Sequence, residues 1–293
     1  MNNVSLHRII IITLVTTLLF SLVVMLYACR PNLNQRHIIA VSIPPQRYLL
    51  EQIVGDRYDV VALLQEDANP EQFESSINNV MAIEHCDAYF MIGRIGFEAA
   101  IMNRLTSNRP ELKVCDTSQG IEQLHDSSGN NINDTHIWMS VRNARIIARN
   151  MLDGMIALDG KHKNHYIRNY NELLKKLDTL DKEISAKCET HKNEYFLVWR
   201  PLLSYFARDY GLQQIAVEIE DSEVTPERIE QVTTFAKSHN AKTFFYQKDL
   251  DQRMVETVNK TVKAQMVEFS PMNYSWDEEM LKIASTIANI NNQ

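Results

Sequence analysis

The sequence predicts an α/β protein of two domains joined by a long, stiff helix. Short apolar runs alternate with helical patterns from residue 37 to about 120, and again from residue 195 to the end, which is the βαβ rhythm of parallel sheets. Between these regions lies an unbroken amphipathic stretch. The roughly 260 residues after the N-terminal apolar segment exceed one ordinary core and suit two of about 100 to 150 residues each.

Residues 1–29 read as an export signal. Arg8 supplies the positive start, and Ile9 to Ala28 are apolar apart from Thr and Ser, the pattern of a secretory leader. The segment ends Leu26-Tyr27-Ala28-Cys29, which resembles the lipobox of bacterial lipoproteins, so Cys29 is expected to become the lipidated first residue. An apolar stretch of roughly 20 residues is also long enough to stay as an uncleaved membrane anchor. Both outcomes place residues 30–293 outside the cytoplasm, in the periplasm or at the cell surface.

The N-terminal domain is expected over residues 37–158. Its strands are read at His37–Ile43, Asp59–Leu64, Ala88–Ile92 and Leu112–Cys115. Helices fit Gln46–Val54, closed by Gly55, then Ile77–His85 and Phe97–Leu105. Ser140 can cap a further helix to about Leu158. A linking helix follows over residues 160–189, where Tyr166, Tyr170, Leu173, Leu174, Leu177, Leu180 and Ile184 recur at three- and four-residue intervals on one face. At 1.5 Å per residue it spans roughly 40 Å, more than one small domain requires, which marks a strut.

The C-terminal domain is expected over residues 190–293. It opens with strand Tyr195–Trp199, helix Leu202–Tyr210 ended by Gly211, and strand Gln214–Val217. The next helix starts at Thr225-Pro226-Glu227, with Thr225 as N-cap and Pro226 in the first turn. Strand Thr243–Tyr246, helix Asp251–Lys260, strand Gln265–Phe269 and helix Trp276–Ile290 complete it.

The formal charge is −7, with Lys and Arg scattered, which argues against a nucleic-acid surface because phosphates need a basic face. It is compatible with a cationic ligand. Beyond Cys29 the cysteines are Cys86, Cys115 and Cys188, too few for complete pairing and wrongly spaced for a compact zinc knuckle. They are expected as small buried hydrophobes, with at most one bridge. No Gly-rich phosphate loop, nucleophile elbow or His-Glu-X-X-His helix is present, and Gly93-Arg94-Ile95-Gly96 is too short and misplaced for a dinucleotide fingerprint. An enzyme is therefore not expected, nor a catalytic cofactor.

In parallel sheets, ligands sit beyond the carboxyl ends of the strands. The loops there read Gln65-Glu66-Asp67-Ala68-Asn69-Pro70-Glu71, then Asp134-Thr135-His136-Ile137-Trp138, then Trp199-Arg200-Pro201-Leu202-Leu203-Ser204-Tyr205-Phe206-Ala207, then Phe269-Ser270-Pro271. With Ser42-Ile43-Pro44-Pro45 and Trp276-Asp277-Glu278-Glu279, these pieces resemble, in order and spacing, the solute-binding proteins of zinc and manganese ABC importers. That family carries Asn-Pro-His, Asp-Pro-His-Val-Trp, His-Pro-Ala-Phe-X-Tyr-Phe and Asp-Pro loops at matching places. The resemblance implies two four-stranded parallel sheets joined by a rigid helix. It also implies one Zn²⁺ or Mn²⁺ held as transported ligand in the interdomain cleft, and a membrane ABC permease that receives it. Zinc takes nitrogen and oxygen donors at about 2.0 to 2.2 Å, and manganese accepts a more carboxylate-rich cage. The chain is expected to act as a monomer.

Carried over residue by residue, His136 stands on the family's second histidine and Glu71 on the first, and these two are the expected metal ligands. Arg200 stands on the third histidine, where a guanidinium has no lone pair to give and stays charged. Ser270 stands on the last loop's carboxylate, and its neutral hydroxyl is a poor ligand. Glu268 and Glu218 are the leading substitute donors, ahead of His125 and Asp134. One expected arrangement pairs Arg200 with Glu71 across the cleft, so that an internal cation replaces a bound one. The loop His125–Asn133 keeps one histidine where zinc-directed relatives carry a histidine-rich acidic stretch. The alternative to an importer component is a surface lipoprotein, an adhesin or accessory protein, that has kept the fold and lost its metal.

Overall fold

Each strand run expected from the sequence lies in one of two parallel sheets with the same strand order. The computed structural model describes residues 13–21, 37–66, 68, 83–125, 131–132, 134–218 and 224–289. It separates residues 1–36 from residues 37–293. In the first unit, residues 13–21 are helical and expose Leu14, Leu18 and Phe20. Both ends of the expected leader, Cys29 included, lie outside the described residues. No helix among the described residues is long and apolar enough to cross a membrane.

In the larger unit, β1 (His37–Val41) leads through α1 (Pro44–Val54) to β2 (Tyr58–Ala62), and β3 (Ala88–Met91) through α2 (Gly96–Asn108) to β4 (Lys113–Asp116). The four strands pair in parallel in the order β2-β1-β3-β4. The strand expected over Asp59–Leu64 is regular over Tyr58–Ala62, and the Leu63 and Leu64 amides continue to donate to the neighbouring segment, at the Val41 and Ser42 carbonyls. Of the expected helix Ile77–His85 only residues 83–85 are described, and those are helical. The segment read as a loop, His125–Asn133, contains all but Leu124 of a small antiparallel pair, β5 (Leu124–His125) with β6 (Asn131–Ile132).

Helix α3 (Val141–Leu158) begins where Ser140 accepts from the Asn143 amide, as its cap position requires. Helix α4 (Lys163–Cys188) buries Tyr166, Leu173, Leu177, Leu180, Ile184 and Cys188, whose spacings place them on one face. It packs against α1, α3 and the last helix, α8 (Trp276–Asn289). The second sheet is built from β7 (Tyr195–Val198), α5 (Ser204–Tyr210), β8 (Gln213–Ala216), α6 (Pro226–Ser238), β9 (Thr243–Tyr246), α7 (Gln252–Val262) and β10 (Gln265–Glu268). Its parallel order is β10-β9-β7-β8, the first sheet's order repeated. Thr225 caps α6 and Asp251 caps α7.

One apolar core runs without a break from Ile39 and Phe90 in the first sheet, through Trp138, Tyr166 and Leu177, to Phe245 and Met280. A smaller core of Leu197, Trp199, Phe244 and Val255 fills the far face of the second sheet. The strut is thus shared by both halves. Two tryptophans fasten them: the Trp138 indole donates to the Pro271 carbonyl at 2.7 Å, and the Trp276 indole to the Trp138 carbonyl at 2.9 Å. A buried indole N–H without a partner would cost free energy, so these bonds fix where the second half's last loop lies against the first half. Cys86, Cys115 and Cys188 are free, and burial pushes each thiol up to about 11; Cys86 and Cys188 are buried, as expected, while Cys115 is half-buried.

Candidate functional site

A sheet of order 2-1-3-4 has its switch point between strands 1 and 3, where successive crossovers leave in opposite directions and their loops part. In this protein those places are the loops after β1 and β3 and the loops after β7 and β9. The loop after β3 turns at Gly93, φ +92°, where a Cβ would collide with the Asp116 carboxylate and the Ser118 hydroxyl. It is held by Glu98, which is 2% exposed and accepts from the Ile92 and Gly93 amides at 2.7 and 2.8 Å and from the Ser42 hydroxyl. Burial raises the Glu98 carboxyl above its usual range, against the pull of those hydrogen bonds. The turn sets Arg94 between the halves, where it donates to the Tyr205 hydroxyl of the second half at 3.2 Å and to the Ile121 carbonyl of the first at 2.6 Å. The Gly-Arg-Ile-Gly segment is thus structural.

A cleft of about 490 Å³ opens between the two sets of strand ends, with His136, Arg200, Gln247, Asp249, Glu268 and Ser270 in its lining. On the first side, Asp134 and His136 are both buried. Asp134 Oδ1 accepts from the His136 backbone amide at 2.8 Å and lies 3.0 Å from His136 Nδ1. Its Oδ2 accepts from the Ser204 amide, at the start of α5, at 3.3 Å. Carboxylate pairing places the imidazole proton on Nδ1 and leaves Nε2 as the ring nitrogen with a lone pair. The ring also packs on Trp138, centroids 4.9 Å apart. Asp134, a sequence candidate for donor, spends both oxygens on N–H groups and acts as the orienter of His136.

The second side carries Arg200. Its Nη1 donates to Asp249 Oδ1 and Oδ2 at 3.1 and 2.9 Å, and its Nε lies 3.6 Å from Glu218 Oε2. Glu218 also accepts from the Trp199 indole at 3.1 Å. The acids that Arg200 meets among the described residues therefore come from its own sheet. Glu71, its expected partner and an expected ligand, lies outside the described residues. Ser270 Oγ donates to the Glu66 carbonyl at 3.2 Å, a bond across the cleft. Glu268 is exposed at the end of β10, while His125 sits in β5, away from the cleft lining.

The geometry brings His136, Arg200, Ser270 and Glu268 to one cleft, with Glu218 behind Arg200. Among the described residues no group of three or more His, Cys, Asp and Glu side chains is arranged to hold a metal ion. Sequence reasoning passed over Gln247 and Asp249, although the rule that located the other loops applies equally to Gln247-Lys248-Asp249 after β9. Gln247 is 6% exposed, and the nitrogen and oxygen of its amide group are buried without a hydrogen-bond partner among the described residues.

Comparison with known proteins agrees with this architecture. A family profile described as zinc-uptake complex component A, periplasmic, matches residues 39–289. A Chlamydia muridarum protein named for metal binding is 27% identical over 281 residues, 94% of this chain and 99% of its own. The iron ABC transporter substrate-binding lipoprotein MtsA of Streptococcus pyogenes is 27% identical over 224 residues, 72% of each chain. The crystal structure of ZnuA superposes with a TM-score of 0.80 at 29% identity, covering 87% of this chain and 99% of that one. A manganese complex of FpvC from Pseudomonas aeruginosa shares the fold, with a TM-score of 0.73 at 20% identity. This chain belongs to the periplasmic zinc-uptake component A family, the metal-binding solute carriers of ABC importers, and its members are not enzymes.

Proposed function

We propose that this protein captures a divalent metal ion, zinc or manganese, in the cleft and delivers it to the membrane permease of an ABC importer. The observation that carries the reading is His136: buried, held through Nδ1 by Asp134, and set in the cleft wall with Nε2 free to bind. A ligand so oriented binds better than a free histidine because less rotational freedom is lost on capture. Glu71 is proposed as the second ligand, with Glu268 and Glu218 as weaker donors. Residues 37–158 and 190–293 would act as the two jaws, with residues 160–189 between them. The continuous core shared across the strut supports small domain movements. Anchoring through a lipid on Cys29 and action as a monomer complete the proposal.

The test is made in cells. Deleting the chain should lower cell-associated zinc or manganese under metal limitation, and the tagged chain should co-purify with a membrane permease. Unchanged content of both metals in the deletion strain would sink the importer reading. The second reading, a surface lipoprotein that keeps the fold without cargo, is favoured by one observation: a guanidinium sits in the wall where a cation would be bound. That reading requires an unchanged metal content and a surface phenotype.

A further inference from the structure

We propose that Arg200 is a resident cation of the cleft, that it competes there with an incoming divalent ion, and that Asp249 and Glu218 around it form a latent cation site. The inference rests on the cleft being the cargo site and concerns what controls entry to it.

Its first support is topological. Arg200 follows β7, Glu218 follows β8 and Asp249 follows β9, and these strands are neighbours in the order β9-β7-β8. Three adjacent strand ends therefore converge on one positive charge. The second is geometric. The Arg200 side chain is only 15% exposed, its Nη1 is shared by both Asp249 oxygens at 3.1 and 2.9 Å, and its Nε lies 3.6 Å from Glu218. Two carboxylates gathered this way repel one another unless a cation lies between them, and the chain supplies that cation itself.

The third support is the Gln247 amide. Two residues from Asp249 in the same loop, it is buried with neither its oxygen nor its nitrogen bonded among the described residues. Buried polar groups are almost always paired, so the unbonded Gln247 amide leaves an oxygen beside the cluster that can accept from Arg200 or coordinate a cation in its place. An ion approaching His136 meets Arg200 and Lys248 in the same cleft lining. Once Arg200 leaves Asp249, the acids it neutralised become available to the ion. The device is thus a competition between a tethered cation and a free one.

The experiment is calorimetric titration of the full-length chain, purified in detergent, with ZnCl₂ and with MnCl₂. Arg200→Gln, which keeps much of the side-chain volume and removes the charge, should bind one or both ions about a hundredfold or more tighter than wild type. Arg200→Lys should stay near wild type. The pair Arg200→Gln with Asp249→Asn should lose most of the gain. Asp249→Asn alone, which keeps the cation and removes one of its counter-charges, should bind metal no better than wild type, and it keeps the proposal testable if Arg200→Gln does not fold. The proposal is overturned by an Arg200→Gln protein no tighter than wild type, by a gain that survives loss of Asp249, or by an Asp249→Asn protein that binds more tightly. Wild type that already binds stoichiometrically and tightly also overturns it, yet leaves the importer reading standing. A deletion strain with unchanged metal content sinks the importer reading and leaves the variant series to decide the resident cation.

Discussion

On one side of the cleft His136 is held by a carboxylate, Asp134, whose side chain is 1% exposed; on the other Arg200 is held by a carboxylate, Asp249, whose side chain is 36% exposed. The pairings look alike and their settings differ. Asp134 accepts three N–H groups, one of them from the other half of the molecule, so it belongs to the structure as much as to the site. Asp249 has water as an alternative partner, so its hold on Arg200 can be exchanged at little cost. Burial decides which acid is a fixed support and which is a removable counter-charge.

The largest effect should come from breaking the seam where the two sides meet. Trp138 is 1% exposed, packs beside His136 and takes part in both indole bonds between the halves. Trp138→Ala should cost about 3 to 5 kcal/mol of unfolding free energy, read by urea denaturation, and should abolish any distinction between the two walls. A loss under about 1 kcal/mol would mean the shared core carries the seam without it. Next comes Asp134→Ala, which strands buried N–H donors and should cost about 2 to 3 kcal/mol. Nitrogen-15 spectra of the wild type should show the His136 proton on Nδ1, and the variant should lose that preference.

Most of the fold was legible in the sequence because it depends on period and punctuation. The stripe Tyr166, Leu173, Leu177, Leu180, Ile184 gave the strut its length and its buried face, and Ser140, Thr225 and Gly211 marked helix ends where the structure has them. The site was legible only by place. That Arg200 and Ser270 stand in the cleft followed from loop positions after strands, but their partners did not, because pairing depends on which loops of a sheet become neighbours. Asp249 lies 49 residues from Arg200 and carries no local mark. The same loop rule reaches Gln247 by place, but its unsatisfied amide had no signal: that is a property of surroundings, and nothing in a Gln-Lys-Asp loop announces it. The β5–β6 pair was hidden for a similar reason, being two residues long on each side.

A smaller effect tests the depth of the first wall through pH. The Glu98 carboxyl is raised mainly by burial, so its folded-state pKa lies above its unfolded value, and the fold favours the protonated form. The stability it contributes is present in full below the ordinary carboxylate range of about 4.3 and is lost as pH rises through the raised folded value. Glu98→Gln should flatten that slope, whatever its absolute stability. Wild-type denaturation midpoints taken from pH 4 upward should therefore fall relative to the variant's as pH rises; parallel curves would show that Glu98 does not titrate in this window.

The smallest effect bears most directly on the difference between the walls. Asp249→Ala removes an acid of the same kind as Asp134, from a pair with two oxygens within 3.1 Å of Nη1, and by geometry alone it should matter as much. Exposure predicts otherwise. Water can replace what the partly exposed Asp249 gave, and Arg200 keeps Glu218 at 3.6 Å, so the guanidinium is not left without a counter-charge. The cost should stay below about 1 kcal/mol and shrink as salt is added, since an accessible pair is screened over about 10 Å at 0.1 M. Should Asp249→Ala cost as much as Asp134→Ala, independently of salt, Arg200 would be a fixed strut of the second wall, and no ion could compete for its place.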